Sequence, residues 1–235
     1  MDKETKKATV IILVIFAVIC LLFGLDAWIR QKNKFVYEEH LDDTVVTVDG
    51  RQVSLRELGY YIYYVETEVD KQARIYNPED PLDYWNTHFS AGMESAYISE
   101  MALDAILGSC VCDLIYEDMA KENGYVLTEE EEKGAESLAE HFYASMTDKQ
   151  RTSTGLTPEI VTEVVKRKQL VVKFAAEYFE EVDFTGYEGY REELVSYAGD
   201  YYMKEILPVH EVTYTDEIVQ ELRIGRITTD YIVKY

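Results

Sequence analysis

The chain has 235 residues, a formal net charge of −22, 47% hydrophobic residues and 20 tyrosines. That length and apolar content support one sizeable core, and only 12 Gly and 4 Pro argue against a disordered or fibrous chain. The acidic balance excludes a nucleic-acid partner, which needs a basic footprint.

Residues 8–25 form an uninterrupted apolar run, ATVIILVIFAVICLLFGL, which as a helix spans about 27 Å, near the thickness of a bilayer's hydrocarbon core. Trp28 follows where an interfacial aromatic belongs. The residues around Gly24 make a poor cleavage site, so an uncleaved anchor is the better reading than a signal peptide. Lys3, Lys6 and Lys7 before the run balance Arg30, Lys32 and Lys34 after it, and a long following domain crosses largely regardless of charge. The expected organisation is a cytoplasmic tail at 1–7, a single-pass anchor at 8–29 in the cell membrane, a charged spacer at 30–43 and an extracytoplasmic domain at 44–235. Residues 1–29 hold as many acids as bases, so the excess negative charge belongs to the outer domain.

Within that domain, residues 44–48 alternate towards Asp49-Gly50, a hairpin-turn signal. Ser54 and Glu57 form a capping box, which predicts a helix over 55–76 that Asn77-Pro78 ends. A second helical region is expected from Leu82, with a long helix from Glu94 to an Asn123-Gly124 cap and Gly108 as its one weak spot. Thr128 with Glu131 opens another helix, reaching Met146. Residues 147–155 read as a polar, mobile loop. Thr157-Pro158 restarts a helix to about 181, its buried side carried by Val161, Val164, Val165, Lys168, Leu170, Val171, Phe174 and Ala175. A further helix is expected over 187–206, a strand at 209–214 able to pair with 44–48, and a short helix over 215–223. The fold class is mainly α, with a small β element pairing the N- and C-terminal ends, preceded by one transmembrane helix.

Enzyme signatures are sparse. Gly186 and Gly189 lack the strand-loop-helix context of a phosphate loop. His40, His88, His141 and His210 are scattered singly, without the spacing of a zinc site. The run Glu129 to Glu132 lacks the alternation of a calcium loop and reads as a helix cap. Cys110 and Cys112, two apart on a helix, point too far from each other to bridge. The sequence therefore predicts no catalytic residue, no metal ligand and no cofactor.

The aromatic pattern carries more. Tyr60, Tyr61, Tyr63 and Tyr64 cover more than one side of the first helix, and Tyr84, Trp85, Phe89 and Tyr97 follow. Tyrosine pairs broad apolar area with a polar tip, which suits adaptable binding surfaces. These eight residues are the candidate substrate-binding set. They fit plain helix packing with hydroxyls at the rim equally well.

The opening VTVDGRQVSLRELGYYIYY resembles that of the SurA-like and PrsA-like extracytoplasmic chaperones, where a strand ends in a V-[ND]-G turn and leads into a helix. The stretch IYEDMAKENGYVLTEEE, residues 115–131, is similar to the same family's helix-to-helix junction. TGLTPE, residues 154–159, resembles its loop before the next helix. Together these cover about residues 44–182. The resemblance implies a SurA/trigger-factor-like helical module that cradles unfolded segments of exported proteins. The foldase members also carry a parvulin domain; the residues after 182 are too few for one and lack its histidine pair. The expected role is that of a membrane-anchored chaperone-like protein that binds unfolded or exported polypeptides without catalysis. A non-catalytic adaptor for one cell-envelope or secretion partner is the first alternative, and a peptidyl-prolyl isomerase the second. The oligomeric state stays open.

Overall fold

The computed structural model describes residues 35–91 and 94–229, and is mainly helical. Among these residues no helix is long and apolar enough to cross a membrane; the expected anchor at 8–29 lies outside them. Strand β1 (Thr44–Val48) turns through Asp49 and Gly50, both at positive φ, into β2 (Arg51–Ser54), as a two-residue hairpin of this twist requires. A register irregularity between Thr44 and Val46 lets both Val45 and Val46 face the core. On the other edge of β1 lies β5 (Val212–Tyr214), antiparallel, with Val46 opposite Tyr214 and Val48 opposite Val212. The expected pairing of the two ends of the domain is therefore present, in the order β2-β1-β5. Asp49 reinforces it by accepting from Glu211 N–H (2.8 Å) and holding His210 Nδ1 (2.6 Å).

Helix α1 (Leu55–Tyr76) starts where predicted. Ser54 Oγ accepts from Glu57 N–H at 3.2 Å, and the helix stops at Asn77 before Pro78. The short α2 (Leu82–Trp85) leads into a second hairpin, β3 (His88–Ala91) and β4 (Glu94–Tyr97), and then into α3 (Ile98–Glu122). Contacts of Glu57 and Tyr61 with the neighbourhoods of Glu117 and Asp113 show that α3 runs antiparallel to α1. The C-terminal end of α1, the second hairpin and the start of α3 consequently share one end of the domain.

Gly124, at positive φ, closes α3, with Tyr125 N–H returning to Ala120 O at 2.9 Å. Helix α4 (Glu129–Ser145) begins with the predicted Thr128–Glu131 box and packs along α6 (Pro158–Tyr178). Between them lies α5 (Asp148–Thr154). The rest is short: α7 (Arg191–Leu194), a wide turn over Tyr202–Ile206, a tight one over Leu207–Val209, and α8 (Asp216–Val219). Tyr116, Phe174, Phe179 and Tyr202 form an aromatic cluster under this region, and Tyr116 O–H donates to Val195 O at 2.6 Å.

Four expectations need correction. The folded domain begins before 44, within the stretch expected as a spacer: Tyr37 is buried with its hydroxyl donating to Leu55 O, and Leu55 and Arg56 N–H bond back to Asp43 and Leu41 carbonyls. The long helix starts at Ile98, because Glu94–Tyr97 pairs as a strand with His88–Ala91. The loop at 147–155 is a packed helix, bounded by a Thr147–Gln150 capping box and a left-handed Gly155, with Ser153 buried and Thr154 buried over Gly59. No single helix spans 187–206. Gly199 lies against the Glu193 and Leu194 carbonyls so closely that any side chain there would overlap them, and the chain folds back. The weak spot at Gly108 has its own reason: the Tyr197 ring occupies the space a Cβ would need.

Candidate functional site

The eight aromatic residues divide into three groups. Tyr60, Tyr61, Tyr63 and Trp85 are core residues, contrary to the expectation that they offer binding area. Tyr60 stacks on Phe142 (ring centroids 4.4 Å apart), and Tyr63 meets the same ring edge-on (5.1 Å) while its hydroxyl pairs with Ser145 Oγ at 3.2 Å. Tyr61 O–H donates to Asp113 Oδ2 (3.0 Å), and burial pushes this phenol well above its ordinary value, so it remains a neutral donor. Trp85 lies beneath the backbone of Gly225, whose positive φ and lack of a side chain permit the approach. Tyr84 is half-buried against Tyr76. Tyr64, Phe89 and Tyr97 are exposed. Three of the four phenols in these five positions thus join α1 to α3 and α4, because helices packed on two sides bury most of the circumference, and Tyr64 alone faces outward.

The exposed aromatics do not gather into the cradle that was expected. Phe89 and Tyr97 sit on the β3–β4 hairpin, Met101 at the start of α3, and Ile75 and Tyr76 at the end of α1, all at one end of the domain. These five side chains are between 42% and 75% exposed. In β3–β4 the pairing of His88 with Tyr97 and of Phe89 with Ala96 places His88, Tyr97 and Ser95 on one face and Phe89 on the other. His88 meets the Tyr97 ring edge-on at 5.0 Å and pairs with Ser95 Oγ.

A separate cleft of about 410 Å³ opens where β2, α3, the 125–127 link, α4 and α6 meet. Its apolar lining is Tyr125, Val126, Leu127 and Leu170; Arg51, Lys121, Lys166 and Arg167 face Glu117, Glu132 and Glu163 around it. Arg167 is the centre of this charge group. It is 3% exposed, with Nη2 on Glu57 Oε1 (2.5 Å) and Nε on Glu117 Oε2 (3.0 Å). Glu117 also holds Arg51 (2.6 Å) and Lys121 (2.9 Å). Burial works against its charge, but these cations outweigh it and keep the carboxyl below its ordinary value. The pairing of Arg167 and Glu117 with Glu57, Arg51 and Lys121 fixes geometry and leaves an amphipathic trough beside the exposed Val126. The stretch 115–131, which carries the family resemblance, supplies its wall from Glu117 to Leu127.

The second charged feature was not foreseen. Glu66 on α1 is fully buried, and its carboxylate accepts from Gly225, Ile227 and Thr228 N–H and from Thr228 Oγ1, at 2.5 to 3.3 Å. Burial pushes this carboxyl up, opposed by those four donors. It clamps the chain after α8 onto α1 beside a smaller cavity of about 280 Å³ lined by Tyr63, Asp70 and Gln150. Glu66 and Arg167 had the same overlooked signal: a charged residue on a helix's apolar stripe, next to Ile62 in α1 and between Val164 and Leu170 in α6. Lys168, expected on the buried side of α6, is half-buried and pairs with Asp113 at 2.9 Å. Cys110 and Cys112 are buried and unbridged, and burial pushes the Cys110 thiol up to about 12, so it stays protonated.

Comparison of the chain with protein-family models, curated proteins and solved structures returns no match to any of them.

Proposed function

We propose that this protein is a membrane-anchored, extracytoplasmic chaperone-like protein that binds extended apolar segments of exported polypeptides without acting on them chemically. One observation carries the reading: Ile75, Tyr76, Phe89, Tyr97 and Met101 stay exposed together at a single end of the domain, whereas the other exposed tyrosines, Tyr64, Tyr190 and Tyr214, are spread over other parts of the chain. Large apolar side chains exposed together mark interaction sites. The chain enters the domain at Tyr37, beside the start of α1, and the 22 residues of α1 put about 33 Å between that entry and the aromatic end. The resemblance to SurA-like and PrsA-like proteins over residues 44–182 agrees with a holding role, and the high negative charge resists self-association of the holder.

A dedicated adaptor for one envelope or secretion partner is the second reading. It is favoured by the burial of Tyr60, Tyr61, Tyr63 and Trp85, which leaves a smaller apolar surface than a broad-range cradle offers.

The test uses the full-length chain in detergent micelles. At equimolar ratio it suppresses the light scattering of heat-unfolded citrate synthase if it is a general holder. An adaptor leaves scattering unchanged and instead captures one polypeptide from solubilised membranes. A chain that does neither refutes both.

A further inference from the structure

We propose that the β3–β4 hairpin receives its partner by strand addition: an extended segment bearing Lys or Arg among apolar residues pairs with the outer edge of β3. This deepens the polypeptide-binding reading above and rests on it.

The backbone comes first. Ile98 N–H bonds to Thr87 O at 3.1 Å, so hydrogen-bonded pairs alternate through Phe89–Ala96, and the N–H and C=O groups of His88 and Ser90 point away from β4. The sheet has two strands among the described residues, so this edge meets no third. The opposite edge differs: Tyr97 N–H is already taken by Glu100 Oε2 at 2.8 Å. An open edge without proline or lysine is a template for an added strand. Phe89, half exposed on one face, and the His88–Tyr97 pair on the other offer contacts to alternate side chains of the added strand.

Charge selects the occupant. Between Arg74 and Lys121 the sequence has no Lys or Arg, while Glu79, Asp80, Asp83, Glu100 and Asp104 all fall at this end. Arg74 is itself held by Asp70 Oδ2 at 2.7 Å. The segment that passes over Trp85 adds Arg223, paired with Glu221 at 3.6 Å, and Arg226; the five acids outnumber them, so the field is acidic, complementary to a basic apolar strand and repulsive to a second copy carrying the same −22 charge.

The experiment measures fluorescence polarisation of labelled ten-residue peptides with the full-length chain in detergent. One peptide alternates Lys and Val, a second alternates Glu and Val, and a third has the first composition broken by two prolines. The Lys–Val peptide should bind about tenfold or more tighter than either control, and lose affinity as salt rises. Ser90→Pro removes an outward N–H at an edge position where proline is tolerated, so the hairpin persists while affinity for Lys–Val falls about fivefold or more. Should that variant unfold, the exposed pair Glu79→Lys/Asp80→Lys gives the second reading, a comparable loss for the Lys–Val peptide alone. Equal binding of the Lys–Val and Glu–Val peptides overturns the proposal. So does wild-type affinity in a folded Ser90→Pro protein, or a dimer of the wild type that Ser90→Pro dissociates. If citrate synthase scattering is still suppressed by a Ser90→Pro protein that has kept its Lys–Val affinity, strand addition falls while the holding role stands.

Discussion

The tyrosines of α1 and the aromatics of the β3–β4 hairpin were one class in the sequence and are two in the fold. Tyr60, Tyr61 and Tyr63 lie within five positions of one another on a helix that α3, α4 and α5 cover, and each ring has a partner. Phe89 and Tyr97 lie on a two-stranded sheet that projects from the end of the same layer and stay accessible. The lesson concerns what surrounds a ring. A phenol on a long helix inside a bundle is a space-filler with a hydrogen bond to place, whereas the same residue on a short hairpin has too little around it to be buried.

Substitutions can break that contrast. The largest effect is expected at Trp85. Trp85→Ala leaves a cavity under Gly225 and should lower unfolding free energy by about 3–5 kcal/mol, read from urea denaturation of the full-length chain. A loss below about 1 kcal/mol would place Trp85 outside the core. Tyr61→Phe keeps the packing and removes the buried hydrogen bond to Asp113, which Lys168 still holds, together with the long one from Arg167 Nη1 (3.5 Å); a loss of about 1 kcal/mol is expected from the same measurement. The double variant Phe89→Ala/Tyr97→Ala is the counter-test. Its stability should stay within about 0.5 kcal/mol of wild type, since both rings are exposed, while suppression of citrate synthase scattering weakens. A stable double variant with full suppression would remove the hairpin from the binding surface.

The smallest effect concerns pH. Lys173, hydrogen-bonded to Glu131 with Thr128 N–H, holds that carboxyl down to about 2, against an ordinary 4.5. A folded value below the unfolded one adds stability above about 4.5, and that stability is lost as pH falls from there towards about 2. Glu131→Gln should flatten the dependence of the denaturation midpoint on pH across that window and leave the curve above it parallel. An unchanged slope would mean that the Thr128–Glu131 cap and the Lys173 pair contribute nothing.

Much of the helical frame was legible because its signals are local. Ser54–Glu57, Thr128–Glu131 and Thr157-Pro158 each mark a helix start that the fold uses, and Asn123-Gly124 marks a stop. The Thr147–Gln150 box was equally local and was outweighed by the polar composition around it. The β3–β4 hairpin was missed because its strands have four residues each, and the alanine, methionine and glutamate near its second strand read as helix. The burial of Tyr60, Tyr61 and Tyr63 was beyond periodicity. Which sides of α1 are covered depends on α4 and α5, which are far along the chain, and on Phe142, whose ring two of these tyrosines share. Glu66 and Arg167 depend on distance in the same way: their farthest partners are 162 and 110 positions away.

The β1–β5 pairing has a mechanical corollary. The chain arrives at β1 and departs from β5 on the same side of that ladder, since Thr44 lies level with Thr215 and the strands run oppositely. Tension between residue 37 and residue 229 would therefore load the Glu66 clamp on Gly225–Thr228 first and, once that gave way, unzip the ladder rung by rung. Tension between residue 37 and the hairpin would instead load α1 along its length and leave the closure of the domain intact. A pull at the aromatic end would thus meet the stiff axis of the molecule, and a pull on the chain after α8 would meet a buried clamp backed by a soft ladder.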